Sequence, residues 1–202
     1  MSEPVRAEDS VLVFIDHQVL SMSLMRTLPL ETVKANSITL VKAAQILGIP
    51  QVWSSSTEDE NQDWWLPELA ELDPGAYKGR IKRTGIVDAW NQPEFVEAIK
   101  ATGRRTLLMA GTSNDGCLLY TALNAHRAGY QVQAVIDAGA SAFPASEQAA
   151  LLRMAHEGIT LTSASVLLGE LAYDWQTPAG SELRKVLAEN FGATIGGFGL
   201  KK

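Results

Sequence analysis

The chain contains one cysteine, Cys117, among its 202 residues. A single cysteine can form neither an internal disulfide nor a cysteine-rich zinc site, so any cysteine chemistry belongs to one free thiol in a reducing compartment. Basic residues are also few, since 17 Lys and Arg against 23 Asp and Glu give a net charge of -6 and a pI near 5.1. This balance argues against nucleic acid and anionic membranes as partners, and favours small molecules and further copies of the chain.

The sequence also lacks long apolar runs and the common cofactor motifs. No apolar stretch approaches the length of a membrane span, and the N-terminus does not resemble a secretion signal, so we expect a cytoplasmic protein. Phosphate-loop and G-x-S-x-G motifs do not occur, and the glycine-rich tail Gly196–Gly199 follows a predicted helix rather than a strand. His17, His126 and His156 lack metal-ligand spacing. We therefore expect no metal and no cofactor.

Apolar runs alternate with helix-like segments along the whole chain. We predict strands at 10–15, 51–55, 105–110, 130–136 and 159–162, and helices at 31–47, 94–102, 116–129, 146–158, 166–172 and 181–190. This alternation predicts the α/β class, with helices on both faces of a parallel sheet in three layers. Composition does not shift along the chain, so we expect a single domain over residues 1–202. The polar segment 56–82 is predicted to be a long loop over the site, with at most one short helix near 66–72.

Two reactive side chains follow predicted strands. Asp16 ends the strand at 10–15, and Cys117 lies beyond the strand at 105–110, where a helix is predicted to begin. In open parallel sheets, ligands bind beyond the carboxyl ends of the strands. Both residues are predicted to lie there, so we expect them to be neighbours. The helix start is expected to lower the thiol pKa, and Asp16 to act as the base. The pattern predicts a cysteine hydrolase; the alternative is an inert core thiol beside a capping carboxylate.

Cations and aromatic residues offer further candidates for the site. Either Lys82 or Arg83, from a basic cluster that could equally be solvated surface, would favour the charged forms of an acid and a thiol nearby. Tryptophan suits pocket walls, protein cores and subunit contacts. We assign Trp90, together with Gln18, to the wall of a substrate pocket.

Taken together, several motifs resemble the isochorismatase-like cysteine hydrolase superfamily, most closely its YcaC-type branch, over about residues 8–190. The motifs are Val13–Gln18, Pro67–Leu69, Arg83–Trp90, Ala110–Cys117 and Val135–Ala138. The resemblance implies a six-stranded parallel sheet of Rossmann-like order and a catalytic triad of Asp, Lys and Cys. Asp16 and Cys117 match the first and third members. The middle position matches Arg83, as in the YcaC-type branch, whereas Lys82 is displaced by one residue and would face away in an extended segment.

The resemblance also implies details of the site and the assembly. It places a non-proline cis peptide between Ser113 and Asn114, with the backbone N–H groups of Asn114 and Cys117 directed at an oxyanion. It implies a homo-oligomer, of eight subunits by analogy, and hydrolysis of a small amide or related C–N substrate through a thioester. A metal-dependent nicotinamidase is disfavoured because no histidine follows the second strand. Isochorismatase-type vinyl ether hydrolysis and a non-catalytic role, as a small-carbonyl binder or thiol redox sensor, remain alternatives.

Overall fold

The computed structural model describes residues 4–195, with side chains for residues 4–192, so the tail Gly196–Gly199 lies outside the described residues. Six strands form one sheet in the order β3-β2-β1-β4-β5-β6, and every neighbouring pair is parallel. The strands are β1 Ser10–Ile15, β2 Gln51–Ser56, β3 Ile81–Arg83, β4 Thr106–Gly111, β5 Gln131–Val135 and β6 Thr160–Thr162. The predicted parallel sheet is confirmed.

The two central strands, β1 and β4, are buried along their whole length. Helices cover both faces of the sheet, which explains why these strands are apolar without alternation. Ile15 pairs with Gly111, so the chain leaves β1 and β4 side by side. From this boundary the chain order runs outward in both directions, through β2 and β3 on one side and through β5 and β6 on the other. Such a switch point is where an open sheet forms its ligand crevice.

Helices pack on both faces of the sheet. They are α1 Val19–Ser23, α2 Leu30–Leu47, α3 Glu58–Asn61, α4 Pro67–Leu72, α5 Pro74–Lys78, α6 Pro93–Ala101, α7 Leu119–Arg127, α8 Pro144–His156, α9 Ala164–Ala172 and α10 Pro178–Ile195. One apolar cluster joins α2, α9 and α10 to one face, and a second joins α6, α7 and α8 to the other. This arrangement confirms the predicted three layers. Among residues 4–195, no helix is long and apolar enough to cross a membrane.

The segment 56–82 contains more regular structure than predicted. The short helix expected near 66–72 is α4, but α3 and α5 also lie in this segment, and β3 begins in it. The helix α5 depends on a local cap, in which the side chain of Asp73 accepts the N–H of Ala76 at 2.9 Å. A three-residue strand is too short to show a periodic pattern. Because Ser56 pairs with Arg83, β3 delivers Arg83 to the carboxyl edge of the sheet.

The predicted helix at 116–129 consists of two elements, one directly after the other. A π-helical turn, Asn114–Leu118, comes first and carries Cys117, and α7 follows directly. Single π-helical turns occur often at functional sites. Cys117 therefore lies within the π-helical turn, before the first residue of α7.

Candidate active site

Asp16 is the first residue after β1, and its carboxylate is buried, with 3% of the residue exposed. Its φ of 58° lies in the left-handed region, which Asp tolerates better than most residues. The Asp16 N–H donates to the Ser54 carbonyl at 2.9 Å, which joins the turn to the end of β2. The backbone therefore turns at Asp16 while staying attached to the neighbouring strand.

Arg83 brings its guanidinium to this carboxylate. Its Nη2 donates to both oxygens of Asp16, at 2.6 Å each. Its Nε donates to Ser54 Oγ at 3.3 Å, and Nη1 donates to the Ile86 carbonyl at 2.6 Å. Lys82 points to the other side, where its Nζ lies 2.7 Å from Asp59 Oδ1. The structure thus places Arg83, and not Lys82, against Asp16.

Cys117 is partly buried, and its thiol forms a hydrogen bond with Asp16. Burial raises the pKa of the thiol, and the negative charge of Asp16 raises it further. The charge of Arg83 and a backbone hydrogen bond with Ser113 act in the opposite direction but are weaker. The expectation that the helix start lowers the thiol pKa is therefore wrong, because desolvation and a neighbouring anion outweigh the helix terminus.

Asp16 has a raised pKa as well. Desolvation is the main cause, and Arg83 and the Cys117 hydrogen bond offset it only in part. Because the pKa values of both groups are raised, the thiol holds its proton more strongly and Asp16 has an increased affinity for one. This pair can pass a proton from sulfur to oxygen across a single hydrogen bond.

The cis peptide lies between Thr112 and Ser113, one residue before the predicted Ser113–Asn114 position. Thr112 N–H still bonds to the Ile15 carbonyl at 3.0 Å, and Asn114 N–H already bonds to the Ala140 carbonyl at 3.0 Å. The predicted position is therefore wrong by one residue. The predicted oxyanion role of the Asn114 N–H is also wrong, because Ala140 occupies this donor. The N–H of Cys117 remains a candidate.

Gln18 is 1% exposed, and its side-chain amide is fully engaged by backbone groups. Its Nε2 donates to the carbonyls of Asp63, at 2.6 Å, and Ser56, at 3.1 Å, while its Oε1 accepts the Ser56 N–H at 2.9 Å. We correct the pocket assignment of Gln18, since no polar atom of its side chain is left for a substrate. Gln18 instead joins the end of β1 to the ends of β2 and α3.

Trp90 is half-buried and packs against the apolar cluster of α6, α7 and α8, near the end of α7 that is farther from Cys117. Its ring meets Phe95 and Tyr130 edge-on, with ring centroids 6.4 and 5.4 Å apart respectively. Tyr130 follows the last turn of α7, whereas Cys117 precedes the first. The pocket assignment of Trp90 is corrected for this reason.

Sequence reasoning missed several residues that support the site. Ser54 is buried and contacts Arg83, and its position at the end of β2 is the one signal that could have identified it. Asp63 accepts the N–H groups of Leu20 and Ser21, at 2.6 and 3.0 Å. No sequence pattern marks Asp63, because its partners lie more than 40 residues away.

His17 takes part in the core rather than in metal binding. It is fully buried, its Nε2 lies 2.8 Å from the Ala138 carbonyl, and its ring stacks on Trp65. Burial lowers the pKa of His17 to about 4, so the ring is neutral near pH 7. Over the part of the chain that the structure describes, no group of three or more His, Cys, Asp or Glu side chains could hold a metal ion.

Sequence comparison assigns most of the chain to one family model. The family model described as the isochorismatase domain matches residues 10–166. The probable hydrolase YcaC of Escherichia coli strain K12 is 30% identical over 169 residues, which cover 83% of this chain and 80% of that protein.

Two solved structures share the fold over almost the whole chain. YcaC from Pseudomonas aeruginosa, with hexane-2,5-diol and covalent acrylamide, matches with a TM-score of 0.90 and 30% identity, and covers 96% of this chain and 94% of its own. Escherichia coli YcaC, an octameric hydrolase of unknown specificity, matches with a TM-score of 0.87 and 29% identity, and covers 96% and 92%. The chain therefore belongs to the isochorismatase family of hydrolases and to its YcaC-type branch.

Proposed function

We propose that this protein is a cysteine hydrolase that cleaves a C–N bond of a small amide through a thioester on Cys117. One observation carries the proposal: the thiol is hydrogen-bonded to Asp16, whose carboxylate is held by the buried Arg83. A nucleophile, a base and a group that orients the base are the parts that covalent catalysis needs.

Acylation begins with proton transfer. As the sulfur of Cys117 attacks the substrate carbonyl carbon, its proton passes to the Asp16 carboxylate, and the carbonyl oxygen becomes an oxyanion. The C–N bond then breaks, and Asp16 returns the proton to the departing amine. A thioester and a free amine result. The Cys117 N–H, on the same turn as the sulfur, is the donor that we assign to the oxyanion.

Deacylation uses the same groups in the second half of the cycle. Asp16 takes a proton from water, the hydroxyl adds to the thioester carbonyl, and the C–S bond breaks to release a carboxylic acid. The proton on Asp16 then returns to the sulfur. Arg83 does not transfer a proton, because a guanidinium stays charged at working pH, but its position keeps Asp16 oriented through both halves.

The position of Arg83 and the apolar side chains near the site indicate the class of substrate. Nε, Nη1 and Nη2 of Arg83 donate to Ser54, Ile86 and Asp16, and the Arg83 side chain has no exposed surface to receive a substrate carboxylate. Apolar side chains close to the site in the chain, at Val19, Trp64 and Ile86, are exposed. We therefore propose a neutral substrate with an apolar acyl group.

The alternatives fit this site less well. Isochorismatase-type vinyl ether hydrolysis acts on a substrate with carboxylates, and the guanidinium of Arg83 is buried, so it offers them no exposed N–H group. A redox-sensing thiol is normally exposed and has a low pKa, whereas burial raises the pKa of Cys117.

A panel of small amides tests the proposed reaction. We expect the parent protein to release amine from neutral amides in preference to anionic ones, and both Cys117→Ala and Cys117→Ser to lose turnover by about 10³-fold or more. Ser146→Ala removes a half-buried hydroxyl on α8 that donates to the Phe143 carbonyl at 3.3 Å; it serves as the matched control and should retain parent turnover. Undiminished hydrolysis by Cys117→Ala would remove the sulfur from the mechanism.

We further propose that the 202 residues form one domain that assembles into a homo-oligomer in the cytoplasm. Support comes from the octameric state of Escherichia coli YcaC and from large apolar side chains that are exposed in the single chain, including Phe143 and Leu152. A reducing compartment suits a catalytic free thiol. Light scattering should give a multiple of 21.8 kDa, an octamer by analogy, and a single 21.8 kDa species would contradict the assembly.

A further inference from the structure

Asn114 opens the π-helical turn that carries Cys117, and three hydrogen bonds hold it. Its backbone N–H donates to the Ala140 carbonyl at 3.0 Å. Its side-chain Nδ2 donates to the Ile136 carbonyl at 2.9 Å and to Glu147 Oε1 at 2.8 Å. Because both neighbours of this nitrogen are acceptors, the amide orientation is defined. Among the described residues, the buried Asn114 Oδ1 has no hydrogen-bond partner, so the nitrogen alone holds the amide.

Glu147 belongs to a closed ring of hydrogen bonds around this turn. Its Oε1 accepts from Thr27 Oγ1, at 2.9 Å, as well as from Asn114. Thr27 Oγ1 accepts the Ser141 N–H at 2.8 Å, and Ser141 Oγ accepts the Asp115 N–H at 3.2 Å. Asp115 is bonded covalently to Asn114, which completes the ring. Three segments thus meet at the turn: Thr27 lies in the chain after α1, Ser141 lies in the chain before α8, and Glu147 lies in α8.

Glu147 is the charged acceptor of this ring. A carboxylate accepting two bonds forms stronger hydrogen bonds than a neutral group would. Removing it leaves the Asn114 amide and the Thr27 hydroxyl without their acceptor in a partly buried site, at the cost of two unsatisfied donors. The Ile136 carbonyl alone would then hold the amide of Asn114, and Asn114 would lose one of its three attachments.

Asn114 in turn sets the position of the sulfur. The carbonyl of its neighbour Ser113 accepts the N–H groups of Gly116, at 3.3 Å, and Leu118, at 3.1 Å, the residues on either side of Cys117. A shift of Asn114 would therefore move Ser113, and with it the backbone on both sides of Cys117. The distance between the sulfur and Asp16 depends on this backbone.

We infer that Glu147 is a positioning residue, which holds the Asn114–Leu118 turn so that the Cys117 thiol stays against Asp16. The inference rests on the proposed function, since it concerns the same nucleophile. It assigns to α8 a role in the site through Asn114, although Glu147 itself touches no reacting atom.

Thiolate absorbance and amide turnover, measured on the same variants of the full-length protein, test this role. We expect Glu147→Ala to reduce turnover by about 10²-fold, the effect of a small misplacement of a reacting group. In the same variant the thiol pKa should fall toward its ordinary value, because the sulfur moves away from the Asp16 anion and gains solvent. Glu147→Gln keeps an oxygen that can accept both bonds and should restore both properties to near parent values.

Two further variants keep the result decisive. Glu157→Ala removes an exposed glutamate at the end of α8, which pairs with Arg127 at 3.4 Å, and should change neither measurement. Thr27→Val removes one donor of the ring with little change in shape, and should shift the thiol pKa in the same direction as Glu147→Ala if that variant does not fold. A parent-like thiol titration in folded Glu147→Ala, or in Thr27→Val where Glu147→Ala fails to fold, would overturn the inference. Because the titration needs no substrate, absence of amide turnover in the parent would count against the proposed function alone.

Discussion

Nη2 of Arg83 lies 2.6 Å from each carboxylate oxygen of Asp16, and both residues are 3% exposed. An ion pair this deeply buried is costly to desolvate, so its members depend strongly on each other. Arg83 opposes the desolvation that raises the pKa of Asp16, and so favours the charged carboxylate beside the thiol.

Replacement of Arg83 by Gln should destabilise the protein by about 3–5 kcal/mol near pH 7, because Asp16 is left buried without its partner. The loss should shrink as the pH falls, since the raised pKa of Asp16 lets the carboxylate take up a proton and lose its charge. Urea unfolding near pH 7 and at an acidic pH measures both effects. Lys82→Gln, which removes an exposed cation paired with Asp59, should change the stability little, because solvent screens a surface ion pair. Equal losses in the two variants would show that the buried pair has no special role.

Arg83→Lys keeps the positive charge but cannot contact Ser54, Ile86 and Asp16 together. We expect about a 10-fold loss of turnover, because one ammonium group orients the carboxylate less well than a planar guanidinium. Steady-state kinetics on an amide from the panel gives the comparison. Parent activity in Arg83→Lys would mean that charge alone suffices at this position.

Asp16→Asn should change turnover and thiol ionisation in opposite senses. Loss of the base should reduce turnover by about 10²- to 10⁴-fold. Loss of its negative charge should lower the thiol pKa of Cys117, because this charge is one of the causes that raise it. Thiolate absorbance reports on Cys117 without interference from another cysteine. A thiol that titrates as in the parent would show that Asp16 and Cys117 are not coupled.

His17 should make the protein less stable as the pH falls below about 6.5. Its pKa is lowered to about 4 in the folded state, so the unfolded chain binds the proton first and gains stability relative to the folded one. Between about pH 6.5 and about pH 4, the loss of unfolding free energy attributable to His17 amounts to about 3 kcal/mol. Asp16, with its raised pKa, acts in the opposite direction, so the difference between parent and variant is the informative quantity.

Unfolding free energies near pH 7 and pH 5 isolate this contribution. His17→Gln should show a smaller loss on acidification than the parent, whereas His156→Gln, at an exposed position, should match the parent. If His17→Gln and the parent respond identically to acid, the imidazole is not kept neutral by the fold.

Gly139 leaves no room for a side chain next to the Cys117 turn. A Cβ there would overlap the Gly111 carbonyl oxygen and lie 2.6 Å from Asn114 Oδ1. Gly139→Ala should therefore destabilise the protein by about 2 kcal/mol or more, and should reduce turnover by moving Asn114. Gly169→Ala, in α9 with nothing near its Cβ, should instead stabilise by about 0.5–1 kcal/mol. Thermal unfolding of the two variants should give shifts of opposite sign.

The parts of the site that could be predicted are those fixed by local pattern. An unbroken apolar run identifies β1 with its observed ends, and parallel topology then brings the residues that follow β1 and β4 to the same edge. Asp16 and Cys117 follow from this reasoning, and the resemblance adds the choice of Arg83 over Lys82.

The remaining features depend on groups that are distant in the sequence. The thiol pKa is set by how completely other elements cover Cys117, which no local helix-end argument can supply. The amide of Gln18 bonds to residues 38 and 45 positions away, so its structural role is invisible in the chain around it. The donor predicted at Asn114 is occupied by Ala140, from the chain that follows β5.

Mass spectrometry of the protein during turnover tests the central claim most directly. Rapid acid quenching should trap an acyl group, of the mass that the amide substrate supplies, on the peptide that contains Cys117. The adduct should form and decay as fast as product appears, and Cys117→Ala should show neither adduct nor product. Product formation at the parent rate with no acyl group on Cys117 at any time would contradict the account.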